Sequence, residues 1–521
     1  MTIRIFLLAS ILFGLGFRMV AVSGRQTVTH DEGISYLAAT GHQAEYSEMS
    51  LRGTYPAGHW VRLSEWKRFI EPDRFFCFRK IGMDLARYDY HPPLYFWCLH
   101  IWVSLFGVGI WAGPALNFLL TLVIAALLLK LADEVLQNRF EASAVVCVWI
   151  LSPYAMFTST EARQYELFTL LSLVLIWRTI RYVEGRNQTS VGELAVLSLI
   201  TLAGALTYYY FALVVAGCGV FVLFNLLKAN VGKCLRFFTP AAIGYAVFLL
   251  LHPAISQMIR ARQEKEQPLV IEDVVARATT AAATVSQFFV HQKAGDGVLI
   301  LLTVVLLMGA AFIVSRGPSK TNGDRIAIPR MANYVMYFLL WNLCSVSFLY
   351  VVGISPSYAM GAKYLAVVWL FVGFVPVLIF RLAPTRLRSA LLVILCGWQF
   401  LYGLAFAAVT LHRARTGPEA SAVLNRADAV LSDSVARGIF PRIFFVMEGD
   451  KLIFAARQGD LIRGEDKWIP GLPRNSVYVG NLDYGNTLEE QTVIVSTIKR
   501  IYDVSPVKSG MYRYNFFLIS P

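Results

Sequence analysis

Long apolar runs separated by short polar segments make up most of the chain. A helix needs about 20 predominantly apolar residues to cross the hydrocarbon core of a membrane. Eleven runs approach or reach this length. They lie near residues 3–22, 111–131, 142–158, 166–182, 193–208, 211–227, 237–252, 297–315, 332–352, 362–380 and 388–411. The pattern therefore predicts a polytopic α-helical membrane protein with about eleven transmembrane helices.

The charges between these runs alternate from one loop to the next. Five loops together hold 15 Lys and Arg residues, and they lie at 130–141, 178–193, 228–236, 316–330 and 381–388. The intervening short loops hold only Arg163 and Lys363. Because basic residues concentrate on the cytoplasmic side of a membrane, the five basic loops are predicted to be cytoplasmic and the others exterior.

A further apolar stretch, "YDYHPPLYFWCLHIWVSLFGVGI" at residues 88–110, precedes the run at 111–131. A helix over residues 94–108 would rise only about 22 Å, whereas the hydrocarbon core is about 30 Å thick. Its many Tyr, Trp and Phe side chains favour the headgroup layer. We therefore predict an interfacial helix over about 92–108, after a Pro-Pro breaker, within a first exterior loop of about 23–110.

This interpretation decides which candidate groups share a compartment. If residues 88–110 crossed the membrane, Asp31 and Glu32 would lie on the opposite side from Glu161. With an interfacial helix, all three carboxylates and His91 lie on the exterior side. The first apolar run is interpreted as an uncleaved helix, and a cleaved signal peptide would give the same orientation.

After residue 411 the long apolar runs stop and shorter elements alternate. The pattern predicts a helix over 418–437 and another over "LEEQTVIVSTIKRIY". It predicts strands at "RIFFVM", "SVYVG" and "YRYNFFLIS". Residues 412–521 are therefore predicted to form a small exterior α/β domain beside a membrane module at 1–411.

Composition agrees with a membrane protein and narrows the function. The chain of 521 residues is 56% hydrophobic and 16% charged, and its mean hydropathy is +0.55. The net charge of +13 resides in short clusters between apolar runs, which argues against nucleic-acid binding. The chain has no CxxC pair and no His-rich ligand spacing, so neither a zinc site nor a disulfide framework is indicated.

Two polar segments of the first exterior loop carry groups capable of chemistry. "TVTHDEGISYLA", at residues 27–39, holds Asp31 and Glu32 directly after the first predicted helix. Either carboxylate could simply cap a short helix that begins near Gly33. "DYHPP" adds Asp89 and His91, which could likewise serve only a helix N-terminus.

Two short exterior loops supply further candidates. "SPYAMFTSTEARQYELF", at 152–168, holds Glu161, Arg163 and Tyr165. A solvated ion pair is one interpretation, but ionisable groups beside a bilayer are more often functional than elsewhere. "ISPSYAMGAKYL" brings Lys363 and Tyr364 to the start of a late helix, where the lysine could also snorkel to the surface.

The order of these motifs resembles the GT-C superfamily of membrane glycosyltransferases. The resemblance covers about residues 1–380 and rests on the acidic pair after the first helix, on "HPPLYF", on "SPxxxxxxxEARxYxL" and on the basic-Tyr pair of the late helix. The nearest relatives are the bacterial enzymes that resemble protein mannosyltransferases and the lipid A aminoarabinose or galacturonic-acid transferases. In this family the "HPPLYF" segment belongs to the first exterior loop.

The resemblance implies a hexosyl- or pentosyltransferase that moves a sugar from a polyprenyl-phosphate donor to an acceptor hydroxyl, with inversion, at the outer face of a bacterial inner membrane. The acceptor is a glycan, a lipid or a protein. Asp31 is expected to be the general base. Glu161 would orient a substrate, or share a divalent cation, Mg²⁺ or Mn²⁺, with Asp31 and Glu32.

The resemblance also implies a set of substrate-binding residues. Arg163 or Lys363 would hold the lipid phosphate, because a fixed cation stabilises the leaving anion. Many relatives have Thr-His-Tyr at the exterior end of the fifth helix, whereas this chain has "LTYYYF" with Tyr208 in the His position, so the sugar or its binding is expected to differ. The expected substrate-binding residues are Asp89, His91, Arg163, Tyr165, Tyr208, Lys363 and Tyr364.

Two other classes of function compete with glycosyl transfer. A lipid or solute transporter would usually carry ionisable groups or broken helices at mid-membrane, whereas the charges here lie at helix ends. A non-catalytic envelope assembly protein would not need Asp31, Glu32, Glu161 and Arg163 together. Either protein should tolerate Asp31→Asn, and a transferase that uses Asp31 as its base should not.

Overall fold

The computed structural model describes residues 2–25, 27–89, 91–186, 190–252, 276–281, 284, 288–289, 296–315, 329–351, 362–415, 418–481, 486–507 and 514–520. The predicted loops at 316–330 and before Lys363 lie largely outside these ranges. The chain divides into two compact units. The helical unit is Met1–Met19, Asn117–Thr160 and Gln164–Ala407, and the mixed unit is Val20–Leu116, Glu161–Arg163 and Ala408–Pro521.

The secondary structure is mostly helical, with six short strands in the described ranges. The helices are α1 (Thr2–Ser23), α2 (His30–Ala39), α3 (Gln43–Arg52), α4 (Leu63–Lys67), α5 (Phe78–Tyr88), α6 (Leu94–Phe106), α7 (Ala112–Leu136), α8 (Arg139–Ile150), α9 (Pro153–Ser159), α10 (Tyr165–Val183), α11 (Val191–Ala205), α12 (Phe211–Leu226), α13 (Val231–Leu251), α14 (Asp296–Ser315), α15 (Arg330–Val351), α16 (Ala366–Val372), α17 (Phe374–Phe380), α18 (Thr385–Arg415), α19 (Pro418–Arg426), α20 (Pro441–Phe444), α21 (Gln458–Arg463), α22 (Glu465–Trp468) and α23 (Leu488–Lys499). Two 3₁₀ helices cover Arg68–Ile70 and Ala362–Leu365. The strands are β1 (Trp60–Arg62), β2 (Ala429–Ser432), β3 (Leu452–Ala455), β4 (Ser476–Asn481), β5 (Asp503–Val507) and β6 (Tyr514–Ser520).

Each of the eleven predicted apolar runs coincides with a helix or with two adjoining helices. Within the described ranges, five segments are long and apolar enough to cross a membrane, namely Ala112–Leu136, Val231–Leu251, Arg330–Val351, Lys363–Phe380 and Thr385–Thr410. A sixth results if α8 and α9, which meet at 62°, form one broken span. The predicted class, a polytopic α-helical membrane protein, is confirmed. The number of eleven spans stays a prediction.

The break between α8 and α9 has a clear local cause. Pro153 cannot continue α8, and Ser152 caps the new helix by accepting a hydrogen bond from the Ala155 amide. The break leaves carbonyl groups at the end of α8 without helical partners. The buried Arg18 guanidinium donates to the Ile150 carbonyl oxygen at 2.9 Å and to Ser159 Oγ at 2.8 Å. Arg18 therefore gives the Ile150 carbonyl group a hydrogen-bond donor and links the end of α8 to the end of α9.

The mixed unit contains a six-stranded sheet with the order β1-β3-β2-β4-β6-β5. Strand β2 runs parallel to both β3 and β4, whereas the β1-β3, β4-β6 and β5-β6 pairs are antiparallel. Trp60 of β1 pairs with Phe454 of β3. The segment predicted to be the first exterior loop therefore supplies an edge strand to a sheet whose other strands come from the C-terminal region. Residues 20–116, which the apolar pattern assigned to the membrane module, lie in this compact unit.

The predicted elements of the C-terminal region are correct only in part. The predictions of a helix at "LEEQTVIVSTIKRIY" and of strands at "SVYVG" and "YRYNFFLIS" are confirmed by α23, β4 and β6. The helix predicted over 418–437 is too long, because it ends at Arg426 and β2 follows. The strand predicted at "RIFFVM" is wrong. Pro441 begins a helical turn there, and Phe444 is buried with its ring centroid 6.2 Å from that of Trp66.

Helix α6 falls within the predicted interfacial segment but is shorter, at 13 residues. It begins directly after Pro93. Its buried His100 places Nδ1 2.7 Å from the Ala39 carbonyl oxygen and Nε2 2.8 Å from that of Phe75. These contacts fix α6 against the end of α2 inside the mixed unit. Its position at the membrane surface stays a prediction.

Candidate active site

The site begins with the capping of α2. The sequence Thr-His-Asp-Glu places a Thr at the N-cap and a Glu three residues later. Thr29 Oγ1 accepts a hydrogen bond from the Glu32 amide at 3.3 Å, and the Glu32 carboxylate accepts one from the Thr29 amide at 2.7 Å. This reciprocal capping box satisfies two amides that would otherwise lack helical partners. It also fixes the direction in which the first turn of α2 presents its side chains.

Glu32 is fully buried, and its carboxylate accepts from several donors at once. Both terminal nitrogens of Arg25 donate to it, one of them at 2.6 Å to Oε1. The Ala162 amide also donates to Oε1, at 2.9 Å. Burial lowers the pKa of Arg25, but the Glu32 carboxylate outweighs burial and raises the pKa above its usual value. These contacts join Glu32 of α2 to residues 161–163, and its predicted catalytic role stays a prediction.

Asp31, the next residue toward the N-terminus, differs from Glu32 in its exposure. Its side chain is 29% exposed, and Oδ2 lies 3.4 Å from Nη2 of Arg163. The Arg163 side chain is only 6% exposed, and its Nη1 donates to Ser35 Oγ at 3.3 Å. His30 Nδ1 lies 3.2 Å from Asp31 Oδ1. A carboxylate reachable from solvent is thus held against a buried guanidinium.

The segment 161–163 approaches α7 so closely that only glycine fits beneath it. A Cβ added at Gly113 would lie 2.1 Å from the Cβ of Ala162. Tyr36 fixes the same region, since its hydroxyl accepts from the Gly113 amide at 2.9 Å and donates to the Gly109 carbonyl oxygen at 2.9 Å. Burial, together with the charge of Glu32, raises the pKa of Tyr36, so the phenol stays protonated. Glu161 is buried in this segment.

The predicted residues Asp89 and His91 form a second polar cluster in the mixed unit, together with Arg437. Asp89 Oδ1 lies 3.8 Å from Arg437 Nη2, and Asp89 Oδ2 lies 3.9 Å from His91 Nε2. Arg437 Nη1 also donates to the Tyr88 carbonyl oxygen at 2.5 Å. The pattern of apolar and polar residues gave no reason to single out Arg437.

The segment that carries Arg437 also packs on the first turn of α2. A Cβ at Gly438 would lie 2.2 Å from His30 Nε2, so this glycine permits the close approach. Arg442 Nε donates to the Val28 carbonyl oxygen at 2.9 Å. Sequence reasoning missed Arg25, Arg437 and Arg442. For Arg25 a signal existed, because it is a lone cation between an apolar helix and an acidic pair.

The remaining four predicted residues come together in the helical unit. Lys363 Nζ lies 5.7 Å from the ring centroid of Tyr165 and 5.9 Å from that of Tyr364, which are cation-π distances. The buried Tyr208 ring meets Tyr165 edge-on, with centroids 5.9 Å apart. Tyr154 donates to the Lys363 carbonyl oxygen at 3.3 Å. The Lys363 ammonium group thus lies beside two phenol rings, those of Tyr165 and Tyr364.

The carboxylates do not offer a suitable divalent-metal site. Among the residues that the structure describes, no three His, Cys, Asp or Glu side chains are grouped to hold a metal ion. The Glu32 oxygens face Arg25, and Asp31 faces Arg163. A cation placed between these carboxylates would meet two guanidinium groups. The residues therefore do not fit the Mg²⁺ or Mn²⁺ expected between Asp31 and Glu161.

Comparison with solved structures gives a weak likeness. The chain is similar to ArnT from Cupriavidus metallidurans in the apo state, with 13% identity and a TM-score of 0.42 over 99% of this chain and 98% of that chain. It is likewise similar to ArnT from Cupriavidus metallidurans bound to undecaprenyl phosphate, with 12% identity and a TM-score of 0.42 over 98% of each chain. These TM-scores are too low to establish a shared fold.

Comparison with families is more specific. No curated protein matches the chain. Residues 90–256 match the model of the dolichyl-phosphate-mannose-protein mannosyltransferase family. This range includes His91, Glu161, Arg163 and Tyr208. The predicted resemblance to the GT-C superfamily of membrane glycosyltransferases is thereby confirmed over residues 90–256.

Proposed function

We propose that this protein is a membrane glycosyltransferase that moves a sugar from a polyprenyl-phosphate donor to an acceptor hydroxyl. Transfer takes place at the outer face of a bacterial inner membrane and inverts the anomeric centre. Asp31 is the general base. The family match over residues 90–256 supports the reaction class. A polyprenyl-phosphate donor suits an exterior enzyme, because nucleotide sugars are confined to the cytoplasm.

The observation that carries the proposal is the difference between three neighbouring carboxylates. Glu32 is fully buried and already accepts from Arg25 and two amides, and Glu161 is 8% exposed. Asp31 is 29% exposed, so an acceptor hydroxyl has access to its oxygens. A general base must lie within hydrogen-bond reach of the proton that it removes. Of the three, Asp31 satisfies this requirement best.

The reaction balances with groups of this chain and the two substrates. An oxygen of the Asp31 carboxylate takes the proton of the acceptor hydroxyl while the hydroxyl oxygen forms a bond to the anomeric carbon. The bond from that carbon to the phosphate oxygen breaks, and its electron pair leaves with the polyprenyl phosphate. Arg163 stabilises the negative charge that develops on this oxygen, as a guanidinium binds phosphate with two hydrogen bonds. Attack opposite to the leaving group produces inversion.

The ion pair of Asp31 with Arg163 gives the base a resting state and an active state. In the free protein Nη2 of Arg163 lies 3.4 Å from the Asp31 carboxylate. A bound donor phosphate competes for Arg163 because it also carries negative charge. Once Arg163 turns to the phosphate, the Asp31 oxygens are available to the acceptor hydroxyl. Lys363, with its surrounding tyrosines, is a second candidate for binding the lipid phosphate.

The proposal is tested by complementing cells that lack the protein with wild type, Asp31→Asn or Glu489→Gln at equal membrane abundance. Glu489 is an exposed carboxylate of α23 and serves as the matched control. Mass spectrometry of envelope lipids and glycans should show sugar transfer restored by wild type and Glu489→Gln but not by Asp31→Asn. Full restoration by Asp31→Asn would remove Asp31 as the base and favour a transporter or an assembly protein.

A further inference from the structure

A cleft of about 640 Å³ lies within the mixed unit, formed by residues far apart in sequence. The pairing of β1 with β3 brings the middle of the predicted first exterior loop beside the segment that follows β3. Arg52, His59 and Trp60 line one part of the cleft, and Arg457, Arg463 and Lys467 line another. Its volume is within the range of pockets that hold small ligands. None of these residues belongs to the site around Asp31.

The cleft is strongly cationic. Four permanently charged basic side chains line it, together with one carboxylate, Asp460. Arg457 donates to Asp460 Oδ2 and Arg463 to Asp460 Oδ1, each at 2.7 Å. Although partial burial raises the pKa of Asp460, the two guanidiniums outweigh it and lower the pKa below its usual value. Asp460 therefore stays ionised and neutralises only part of the positive charge.

The other two cations form no close ion pair with a carboxylate of the described residues. Arg52 and Lys467 are both exposed, and within the described ranges neither has a carboxylate within 4.0 Å. Arg52 is the last residue of α3, and Gly53 ends the helix in the left-handed conformation at φ +64°. Lys467 is in α22. An anion in the cleft would thus meet two exposed cations that form no close ion pair in the described part of the chain, although Glu48 lies near enough to Arg52 to interact with its charge.

The cleft also has a rigid aromatic wall. The indole Nε1 of Trp60 donates to the Trp468 carbonyl oxygen at 3.1 Å. The Trp60 ring lies 5.5 Å from that of Phe454, and a Cβ at Gly471 would lie 2.4 Å from Trp60 Cδ1. The ring is therefore held in one orientation while remaining partly exposed. Aromatic faces provide apolar contact area at low entropic cost, and the apolar face of a sugar ring is a suitable partner.

We propose that this cleft binds a saccharide that carries phosphate or carboxylate groups. The guanidinium and ammonium groups recognise the oxyanions, and Trp60 contacts the sugar ring. The cleft serves to capture the anionic glycan portion of the acceptor, and this use rests on the proposed glycosyl transfer. Binding itself does not depend on transfer, so it is measured separately.

Binding is tested by calorimetric titration of the full-length protein in detergent with four probes. Glucose 1,6-bisphosphate and trigalacturonate are the anionic saccharides, maltotriose is a neutral saccharide, and inorganic pyrophosphate is an anion without sugar. Both anionic saccharides should bind, more weakly as salt is added, and more tightly than pyrophosphate. Maltotriose should not bind measurably.

The double variant Arg52→Ala with Lys467→Ala should weaken binding of the anionic saccharides by about tenfold or more, since each charged contact contributes appreciably. The matched control is Arg474→Ala with Lys499→Ala, which removes the same charge at exposed positions outside the cleft. Melting temperatures of both double variants should equal that of wild type. Equal affinity in the cleft variant, or no binding by wild type, would overturn the proposal. If pyrophosphate bound as tightly as glucose 1,6-bisphosphate, the proposed contact between the sugar ring and Trp60 would be contradicted.

The same titration separates this inference from the proposed function. Asp31→Asn should retain wild-type affinity for glucose 1,6-bisphosphate, because the cleft does not contain Asp31. In cells the cleft variant should raise the acceptor concentration needed for half-maximal transfer while leaving the maximal rate unchanged. A lowered maximal rate at saturating acceptor would contradict a role in acceptor capture, whatever the outcome for Asp31.

Discussion

Asp31 Oδ2 lies 3.4 Å from Nη2 of Arg163, and this pair joins the first exterior loop to the segment that precedes α10. Its neighbour Glu32 forms a second ion pair, with Arg25, that is almost completely buried. Two adjacent carboxylates on one helix therefore have different environments. The exposed one suits proton transfer, and the buried one holds the backbone around it.

Replacing Arg163 should impair the chemical step more than the fold. Arg163→Ala removes the proposed stabilisation of the leaving phosphate and should lower the rate of sugar transfer by about 100-fold. Arg163→Lys retains a charge but not the bidentate geometry, and should give an intermediate rate. The rates are measured in membranes with equal amounts of each variant. Wild-type activity in Arg163→Ala would exclude this role.

Glu32→Gln should affect mainly the stability of the protein, whereas Asp31→Asn should affect mainly its activity. Glu32→Gln removes the buried carboxylate to which both terminal nitrogens of Arg25 donate, which costs about 3 kcal/mol or more. Its melting temperature in detergent should therefore fall by several degrees, as followed by intrinsic fluorescence. Asp31→Asn removes a partly exposed carboxylate that meets Arg163 at 3.4 Å, so its melting temperature should fall less than that of Glu32→Gln, although activity is lost. A stable but inactive Glu32→Gln variant would instead indicate a catalytic Glu32.

Gly113→Ala tests whether transfer activity depends on the close approach of residues 161–163 to Gly113. The added methyl group would clash with Ala162, whose Cβ lies 2.1 Å from the new position. The segment must move, so the distance between Asp31 and Arg163 should change and transfer activity should fall. Gly16→Ala is the matched control, because no heavy atom lies within 4 Å of its added Cβ. Equal activity of the two variants would contradict this account of the segment.

The mixed unit should lose stability as pH rises toward neutrality, because of Asp433. This carboxyl is fully buried and accepts from the Asn481 amide and the Tyr478 hydroxyl, but burial outweighs these bonds and raises its pKa to about 7. The folded state therefore binds the proton more tightly than the unfolded state, whose pKa is 3.8. Its stabilising contribution is complete below about pH 4 and is lost by about pH 7.

Thermal unfolding of the full-length protein at intervals from pH 4 to pH 8 measures this effect. Wild type should melt at progressively lower temperature across this range. Asp433→Asn cannot ionise, so its melting temperature should vary less over the same range. A melting temperature that rises with pH in wild type but not in Asp433→Asn would contradict the proposed protonation of this group.

Local patterns predicted the helices well because the apolar runs are long and most of them are bounded by polar or charged residues. The capping box of Thr29 and Glu32 is also a local signal, although the run of residues alone did not show that Glu32 would pair with Arg25. Lys363 and Tyr165 are close in the helical unit, as expected if both bind substrate, but their distance depends on helix packing.

The contacts made by the C-terminal region could not be predicted in the same way. Arg437 ends a predicted helix and Arg442 begins a predicted strand, but neither pattern indicates a partner, and Asp89 and Val28 are hundreds of residues earlier. The pairing of Trp60 with Phe454 is equally remote in sequence. A three-residue strand such as β1 carries too little alternation to be recognised, and "RIFFVM" resembles a strand in composition while Pro441 favours a helical turn.

The most direct test of the central claim is the amount of polyprenyl-phosphate sugar in cells that lack the protein, compared with the wild type. The account predicts that one polyprenyl-phosphate sugar accumulates in the deletion strain. It also predicts that one envelope glycan, lipid or protein loses a residue of the same mass. Unchanged levels of both would contradict the claim that this protein transfers a sugar from a lipid donor.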